Sequence, residues 1–469
     1  MPSVMRRSIT PLRCAATAAL LLCAPPAIAQ TAPAGQADAG FWERPNLLGD
    51  IGGLRPAFDD RGLMLGLSET SEIFGNLSGG IRRGFEYSGL TTLSLKLDTD
   101  KAFHWSGGTF YASALQIHGR DFSTEHVASL QTITNIDAER STRLWELWFQ
   151  QALPAGKSDL KIGQQAVDQE FLVNDDGSVF LNAMMGWPAL PSTDMYAGAP
   201  VYPLSALGLR LRTKPADGLT LLAGAFDDNP PGGPFADDKQ VRGGEASGTR
   251  FNLGTGALFI AELQYAVPRP PFAAEGADLP GTYKFGAWFD TGRFPDQRFD
   301  QAGLSLADPA SSGVARLHKD NFSLYGVLDQ TVWRAAGGHS SLALFGRVMG
   351  APGDRNLVDW SLNVGLNLKA PLPGRDNDTL GVGYGWAHVS GRASDLDRDA
   401  AIFAAAAVPV RSAEGVIEVT YQHQVAPWWL VQPDLQYVIT PGGGAASPLD
   451  PTRRLGDALV IGLRTTVTF

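Results

Sequence analysis

Within the stretch LWELWFQ, Glu146, Trp148 and Gln150 recur at every second position, with Leu147 and Phe149 between them. In an extended chain alternate residues share a face. One face then carries a carboxylate, an indole and an amide, and the other carries Trp145, Leu147 and Phe149. An aromatic plane beside hydrogen-bonding groups suits the holding of a polyol ring, because the plane covers a C–H face while the polar groups bond hydroxyls. Bond-breaking chemistry finds less support. Ser205, His104 and His318 are the available nucleophile and bases, but no G-x-S-x-G turn and no clustered His and Ser accompany them. None of the seven histidines has metal-ligand spacing to another His or to a Cys. The expectation is therefore no catalytic centre, no metal and no cofactor.

A face that stays polar while its reverse is apolar requires a strand between two different solvents. The same period of two recurs along the chain. It is cleanest in the terminal DALVIGLRTTVTF, where Leu459, Ile461, Leu463, Thr465 and Val467 oppose Gly462, Arg464, Thr466 and Thr468. Leu63, Leu65 and Leu67 begin the series, and Leu93, Leu95 and Leu97 follow. Near 108–120, Tyr111, Leu115 and Ile117 form the apolar face against Ala112, Gln116 and His118. Sixteen such segments can be marked, from 61–74 to 457–469, each near the about 9–11 residues that a tilted strand needs to cross a bilayer. Connections after even-numbered segments are mostly short, such as 154–157 and 215–217, whereas those after odd-numbered ones are mostly long, such as 168–203 and 228–256. That asymmetry belongs to a closed transmembrane barrel with turns at one end and loops at the other. Sixteen strands enclose a channel unless it is plugged, which argues against a purely structural or adhesive barrel.

Parity then nominates the lumen side chains. Besides Glu146 and Trp148, it places Lys161, Gln165, Arg210, Arg212, Trp288, Asp290, Arg347, Glu418, Gln422, Asp434 and Gln436 inside. A lipid-facing Arg or Lys at mid-membrane costs about 2–4 kcal/mol, which favours that orientation. Most wall charges in a channel serve in cross-strand pairs, and the presence of both signs suits a neutral solute. The thirty-six-residue connection 168–203 carries Phe171, Leu172, Phe180, Leu181, Met184, Met185 and Trp187. This is too apolar for a solvated loop, so it is expected to fold inward against the wall. A transverse polar zone would then set Arg210 and Arg347 against Glu146 and Asp175, with Trp148 as the stacking plane and Trp288 and Trp187 as the next candidates.

Composition fits this reading. Of 469 residues, 54 are Gly, 11 are Trp and only 18% are charged. No apolar run long enough for a membrane helix follows the first thirty residues. Residues 1–29 read as a secretory leader, with Arg6, Arg7 and Arg13, an apolar stretch, and Ala27-Ile28-Ala29 as the cleavage site. Both cysteines, Cys14 and Cys23, lie there, so disulfides and thiolate metal sites go with it. Losing its three arginines and no acids moves the formal charge from −10 to −13, which gives nucleic acid no electrostatic footing. Residues 30–60 form a linker and a short amino-terminal segment, with a weak helix over 46–58, and 61–469 form the barrel.

Several stretches resemble the carbohydrate-selective porins, the glucose-porin family of Gram-negative bacteria. They are RLWELWFQQAL at 143–153, LKIGQQAVDQEF at 160–171, GWPALPSTDMYAGAPVYPLSALGLRLR at 186–212, FGRVMGAPGDRN at 345–356, PLPGRDNDTLGVGYG at 371–385 and QPDLQYVITPGG at 432–443. NLLGDIGGLRPAFDDRG at 46–62 fits as well. The resemblance implies an all-β, sixteen-stranded antiparallel barrel that passes sugars, often glucose, across the outer membrane. Its implied partners are sugar in the channel, lipid and lipopolysaccharide around it, and the barrel-assembly machinery reading Phe469. A general or differently selective channel and, further off, a barrel enzyme are the other readings. Which sugar passes, whether Ca²⁺ is bound, and whether the chain is monomer or homotrimer stay open.

Overall fold

The terminal strand closes a circle. The computed structural model describes residues 40–469 apart from 155, 234–244, 275 and 338; the leader expected at 1–29 lies outside them. Its strands are β1 (Leu63–Gly80), β2 (Gly84–Asp98), β3 (Gly108–Gly119), β4 (Ser141–Ala152), β5 (Ser158–Gln165) and β6 (Ala206–Ala216). Next come β7 (Leu219–Asp227), β8 (Ala257–Val267), β9 (Gly281–Asp300), β10 (Ala315–Arg334), β11 (Ser341–Gly350) and β12 (Val358–Lys369). The chain finishes with β13 (Thr379–Val389), β14 (Ala413–Ala426), β15 (Trp429–Ile439), a hairpin β16 (Ala446–Ser447) and β17 (Asp450–Arg454), and β18 (Gly456–Thr468). All but the hairpin form one closed barrel of sixteen antiparallel neighbours, in which β1 pairs with β18 from Ser68↔Thr468 to Gly80↔Gly456. Closure removes the unpaired edges that a strand cannot leave in lipid.

The outer face is the apolar one. Leu65, Leu209, Phe285, Leu324, Val348, Ile417 and Leu463 are exposed there, while Glu72 and Arg464 pair on the inner side of the β1–β18 seam at 2.7 Å. At the short-turn end Trp428 stacks on Trp42 with centroids 5.9 Å apart and donates through Nε1 to the Phe41 carbonyl at 3.0 Å. The amino-terminal segment thus lies against the closing strands, and among its described residues one helix covers Leu54–Asp59, shorter than the 46–58 expected. Pro56 and the glycines ahead of it, with Gly52 and Gly53 at φ 64° and 86°, stop it from extending upstream.

Alternation misleads around β3 and β4. Tyr111, Leu115 and Ile117 face inward, and Gln116 and His118 face outward in a hydrogen-bonded group with Thr91, Tyr87 and Glu69. Leu115 and Ile117 are apolar on the inner side because they pack under loop residue Ile136 and beside Trp145. The register between β3 and β4 also slips, from Ala112↔Leu147 to Ala114↔Leu144. This bulge sets two residues, Trp145 and Glu146, opposite Ser113, so Trp145 turns inward as well and donates to the Leu204 carbonyl at 3.2 Å. Trp145 is therefore not on the lipid side with Leu147 and Phe149.

Candidate functional site

The third long connection, 168–203, crosses the barrel. It leaves β5 and meets the β9–β12 wall, where Lys284 Nζ donates to the Val173 carbonyl at 2.6 Å and the Asp176 amide donates to Asp329 at 3.0 Å. It then reaches the far wall, where Glu418 accepts the Leu181 amide at 2.6 Å and the Asn182 amide at 3.2 Å. It returns to β11, where Arg347 bonds the carbonyls of Leu172, Met184, Met185 and Gly186 at 2.6–3.0 Å. Asp194 finally takes the Leu357 and Val358 amides at 2.6 and 3.0 Å. A loop whose helices are single turns, such as Ala183–Gly186 and Ala189–Asp194, leaves many amides and carbonyls unpaired, and burial makes that costly. The wall's polar residues supply the missing partners.

The second connection, 120–140, joins it. Glu414 accepts the Leu130 and Gln131 amides, each at 2.8 Å, Gln436 donates to the Ile133 carbonyl at 2.8 Å, and Arg464 donates to Thr134 at 2.7 Å. The two loops also bond each other, Asn135 to the Leu181 carbonyl at 2.8 Å and Ala183 to that of Thr132 at 2.9 Å. Sequence reading did not single out 120–140, although Ile133 and Ile136 in a polar stretch were a signal of the same kind as Phe180 and Leu181.

These contacts sort the expected site residues. Arg347, Glu418 and Gln436 point inward but are buried under the loops as their anchors. Asp434, 6% exposed, accepts from Gln436 at 2.9 Å and serves the same network. Trp187 and Trp288 sit in one apolar cluster with Phe171, Leu190 and Tyr325, so neither offers a ring to the channel. Gln165 is spent on the Gly208 carbonyl at 2.9 Å, and Asp290 is fully buried half-way along β9. The described ion pairs do not join Arg347 to an acid, so the expected opposition of Arg347 to Asp175 is replaced by carbonyl binding. Asp175 itself is exposed on the loop.

A second group stays together on β3–β6. Trp148 is flanked from β3 by Tyr111, stacked at 5.0 Å and 23°, and from β5 by the Lys161 ammonium at 4.9 Å from the ring centre. Both neighbours engage the indole, so the free stacking plane expected at Trp148 is taken up by a cation–π contact. Lys161 pairs with Glu170, Arg210 pairs with Glu170 at 2.7 Å and with Asp159, and Arg212 pairs with Asp159 at 2.8 Å. Gln150 accepts from Arg210 at 2.9 Å, and Glu146 accepts the Ala166 amide at 3.2 Å where the third loop begins. Burial alone would raise the Glu170 carboxyl, but Lys161 and Arg210 outweigh it and hold the group below its ordinary range. Tyr111, Asp159 and Glu170 were missed in the sequence. Three neighbouring bases at Lys161, Arg210 and Arg212 called for such counter-ions.

A closed, lipid-faced barrel of sixteen strands with inward loops bound across its lumen and a charge-paired wall defines an outer-membrane channel of the porin class. Residues 82–469 match the sequence model of the carbohydrate-selective porin, OprB family, and the chain belongs to that family. It is 26% identical over 448 residues to Porin B of Pseudomonas aeruginosa, spanning 90% of this chain and 91% of that one. It is 24% identical to the putative porin QuiX of Acinetobacter baylyi, spanning 92% and 94%. The high-pH structure of Pseudomonas putida OprB superposes with a TM-score of 0.79 over 92% of this chain and all of that one, at 24% identity. The low-pH structure of the same protein gives 0.54 over 91% and 99%, at 19% identity. The chain is a sugar porin and not an enzyme.

Proposed function

We propose that the channel passes neutral sugars of monosaccharide size, glucose among them, by passive diffusion, and that the β3–β6 wall is where they are handled. The observation that supports this reading is the charge-paired ladder Lys161, Glu170, Arg210, Asp159 and Arg212. With Glu146 beside Lys161, three bases meet three carboxylates; Lys161, Arg210, Asp159 and Glu146 are buried, and Glu170 and Arg212 present the part-exposed donors and acceptors of this nearly neutral network. A solute with many hydroxyls exchanges hydrogen bonds with such a wall, while an ion of either sign meets a group of its own sign. Trp148 acts here by holding Lys161 in place, and Asp175 supplies an exposed acceptor on the loop side. Lipid and lipopolysaccharide surround the barrel, and Phe469 is the end read by the assembly machinery after the leader at 1–29 has been removed.

The test is solute entry into liposomes that carry the purified protein, with glucose, maltose, glucosamine and gluconate compared at equal osmolarity. Glucose is expected to enter several-fold faster than the disaccharide and than either charged analogue. Equal rates for glucose and gluconate would remove the reading in favour of a general channel.

A further inference from the structure

Where β7 ends and β9 passes the loop end of the barrel, Asp228 and Asp290 are both fully buried. Their carboxyl groups face each other closely enough that two carboxylates there would repel unless a proton or a cation lay between them. Asp227, also buried, stands in the same electrostatic neighbourhood. Three of the four oxygens, Oδ1 and Oδ2 of Asp228 and Oδ2 of Asp290, have no hydrogen-bond partner. The fourth accepts the Gly292 amide at 2.8 Å. Among the described ion pairs, none reaches Asp227, Asp228 or Asp290. The wall elsewhere behaves differently: Glu414, Glu418 and Asp194 are equally buried, but each is saturated by backbone amides.

The surroundings are shaped for a small hard ion. Thr255 lies beside the Asp228 carboxyl, and Thr291 Oγ1 already accepts the Ala257 amide at 2.9 Å, leaving a lone pair free. Glycines stand at both approaches. A Cβ on Gly256 would come within 2.5 Å of Asp228 Oδ2 and 3.0 Å of Thr291 Oγ1, and one on Gly292 within 3.0 Å of both Asp228 Oδ2 and Asp290 Oδ1. Two carboxylates and hydroxyl oxygens, with no sulfur or imidazole among them, form a donor set for Ca²⁺ rather than for Zn²⁺ or Cu²⁺. We infer that Asp228 and Asp290, helped by the Thr255 and Thr291 hydroxyls, bind one Ca²⁺ that ties Asp228 and Thr255 to β9.

The ion would also steady the channel. Tyr196, near the end of the third loop, lies against Gly292 and bonds the Arg293 carbonyl at 2.8 Å and amide at 3.0 Å. A cation at Asp290 therefore fixes the strand segment on which that loop ends.

The experiment uses the full-length protein in detergent, stripped with EDTA and dialysed. Tb³⁺ luminescence sensitised by nearby aromatics, displaced by Ca²⁺, reads occupancy; heat-modified mobility reads stability. One displaceable ion per chain is expected, with Ca²⁺ affinity of about 10⁻⁴–10⁻³ M, the range of extracellular sites. Ca²⁺ should raise the unfolding temperature, and Asp228→Asn and Asp290→Asn should each abolish both effects. Glu86→Gln, in the separate cluster with Glu125 and His126 that Arg82 and Arg120 already neutralise, should leave them intact. No binding at 10 mM Ca²⁺, or binding that survives Asp228→Asn, overturns the inference in favour of a carboxyl pair sharing a proton. Should the variants fail to fold, anomalous scattering from Ca²⁺-soaked wild-type crystals decides between a peak joining Asp228 to Asp290 and none.

Discussion

The guanidinium of Arg347, rooted on β11, donates a 2.6 Å hydrogen bond to the carbonyl of Met184 in the third loop. It is the centre of a five-acceptor grip that also takes in Leu172, Met185, Gly186 and Asn363. Truncating one partner of a buried charged network costs about 3–5 kcal/mol, and here the cost falls on the loop rather than on the barrel ladder. Arg347→Met should leave a heat-modifiable barrel in the membrane, but with a noisier and larger single-channel conductance and weaker discrimination by solute size. Planar-bilayer recordings check this. A quiet, wild-type trace would show that the remaining anchors suffice.

Glu418 binds the loop from the opposite wall, and its two oxygens serve the Leu181 and Asn182 amides. Glu418→Gln keeps one acceptor, whereas Glu418→Ala keeps none and strands both amides at about 1–3 kcal/mol each. The expected order of sugar selectivity, read as the glucose-to-maltose rate ratio in liposomes, is wild type, then Gln, then Ala.

Trp148 holds Lys161 through a cation–π contact worth about 0.5–2 kcal/mol. Trp148→Ala should release the ammonium, raise the half-blocking concentration of glucose by a factor of about 2–30, and leave ion conductance level or higher. Trp148→Phe should recover much of the loss. An unchanged glucose titration in the Ala variant would reduce Trp148 to wall.

In the second loop, burial, reinforced by repulsion from Asp121, pushes the Asp137 carboxyl up to about 8. A carboxyl whose folded value lies above its unfolded one stabilises the fold most at acid pH, and that contribution is lost as pH rises through the folded value. The loop should therefore loosen progressively from about pH 4 to pH 8 and level off above that. Conductance recorded over that interval should climb, and Asp137→Asn, neutral throughout, should flatten the climb.

Alternation revealed the barrel because lipid imposes one rule on every strand, seen in Leu209, Phe285 and Leu463 alike. It could not reveal the lumen, because the inner face meets two environments. Where water reaches it, Arg212 reads as polar. Where a loop covers it, Leu115 and Trp288 read as apolar, and sequence parity assigned Leu115 to lipid and Trp288 to sugar. The wall charges were placed on the correct side for Arg347 and Glu418, but their partners are loop amides and carbonyls, which have no signature in side-chain pattern. A bulge of one residue at Ser113 was enough to bring Trp145 and Glu146 to the same side. The strands β9 and β10 run on past the membrane, to Asp300 and from Ala315, because the two neighbours continue to pair there.

The amino-terminal segment reaches across the whole length of the chain: Arg55 donates to the Phe469 carbonyl at 2.8 Å over 414 positions, and the Leu47 amide donates to that of Thr468 at 2.8 Å. Translation delivers Arg55 early and its acceptor last, so this latch cannot engage while the circle is open. A barrel stalled short of closure holds the two partners of each bond apart, so both bonds form only in the finished circle.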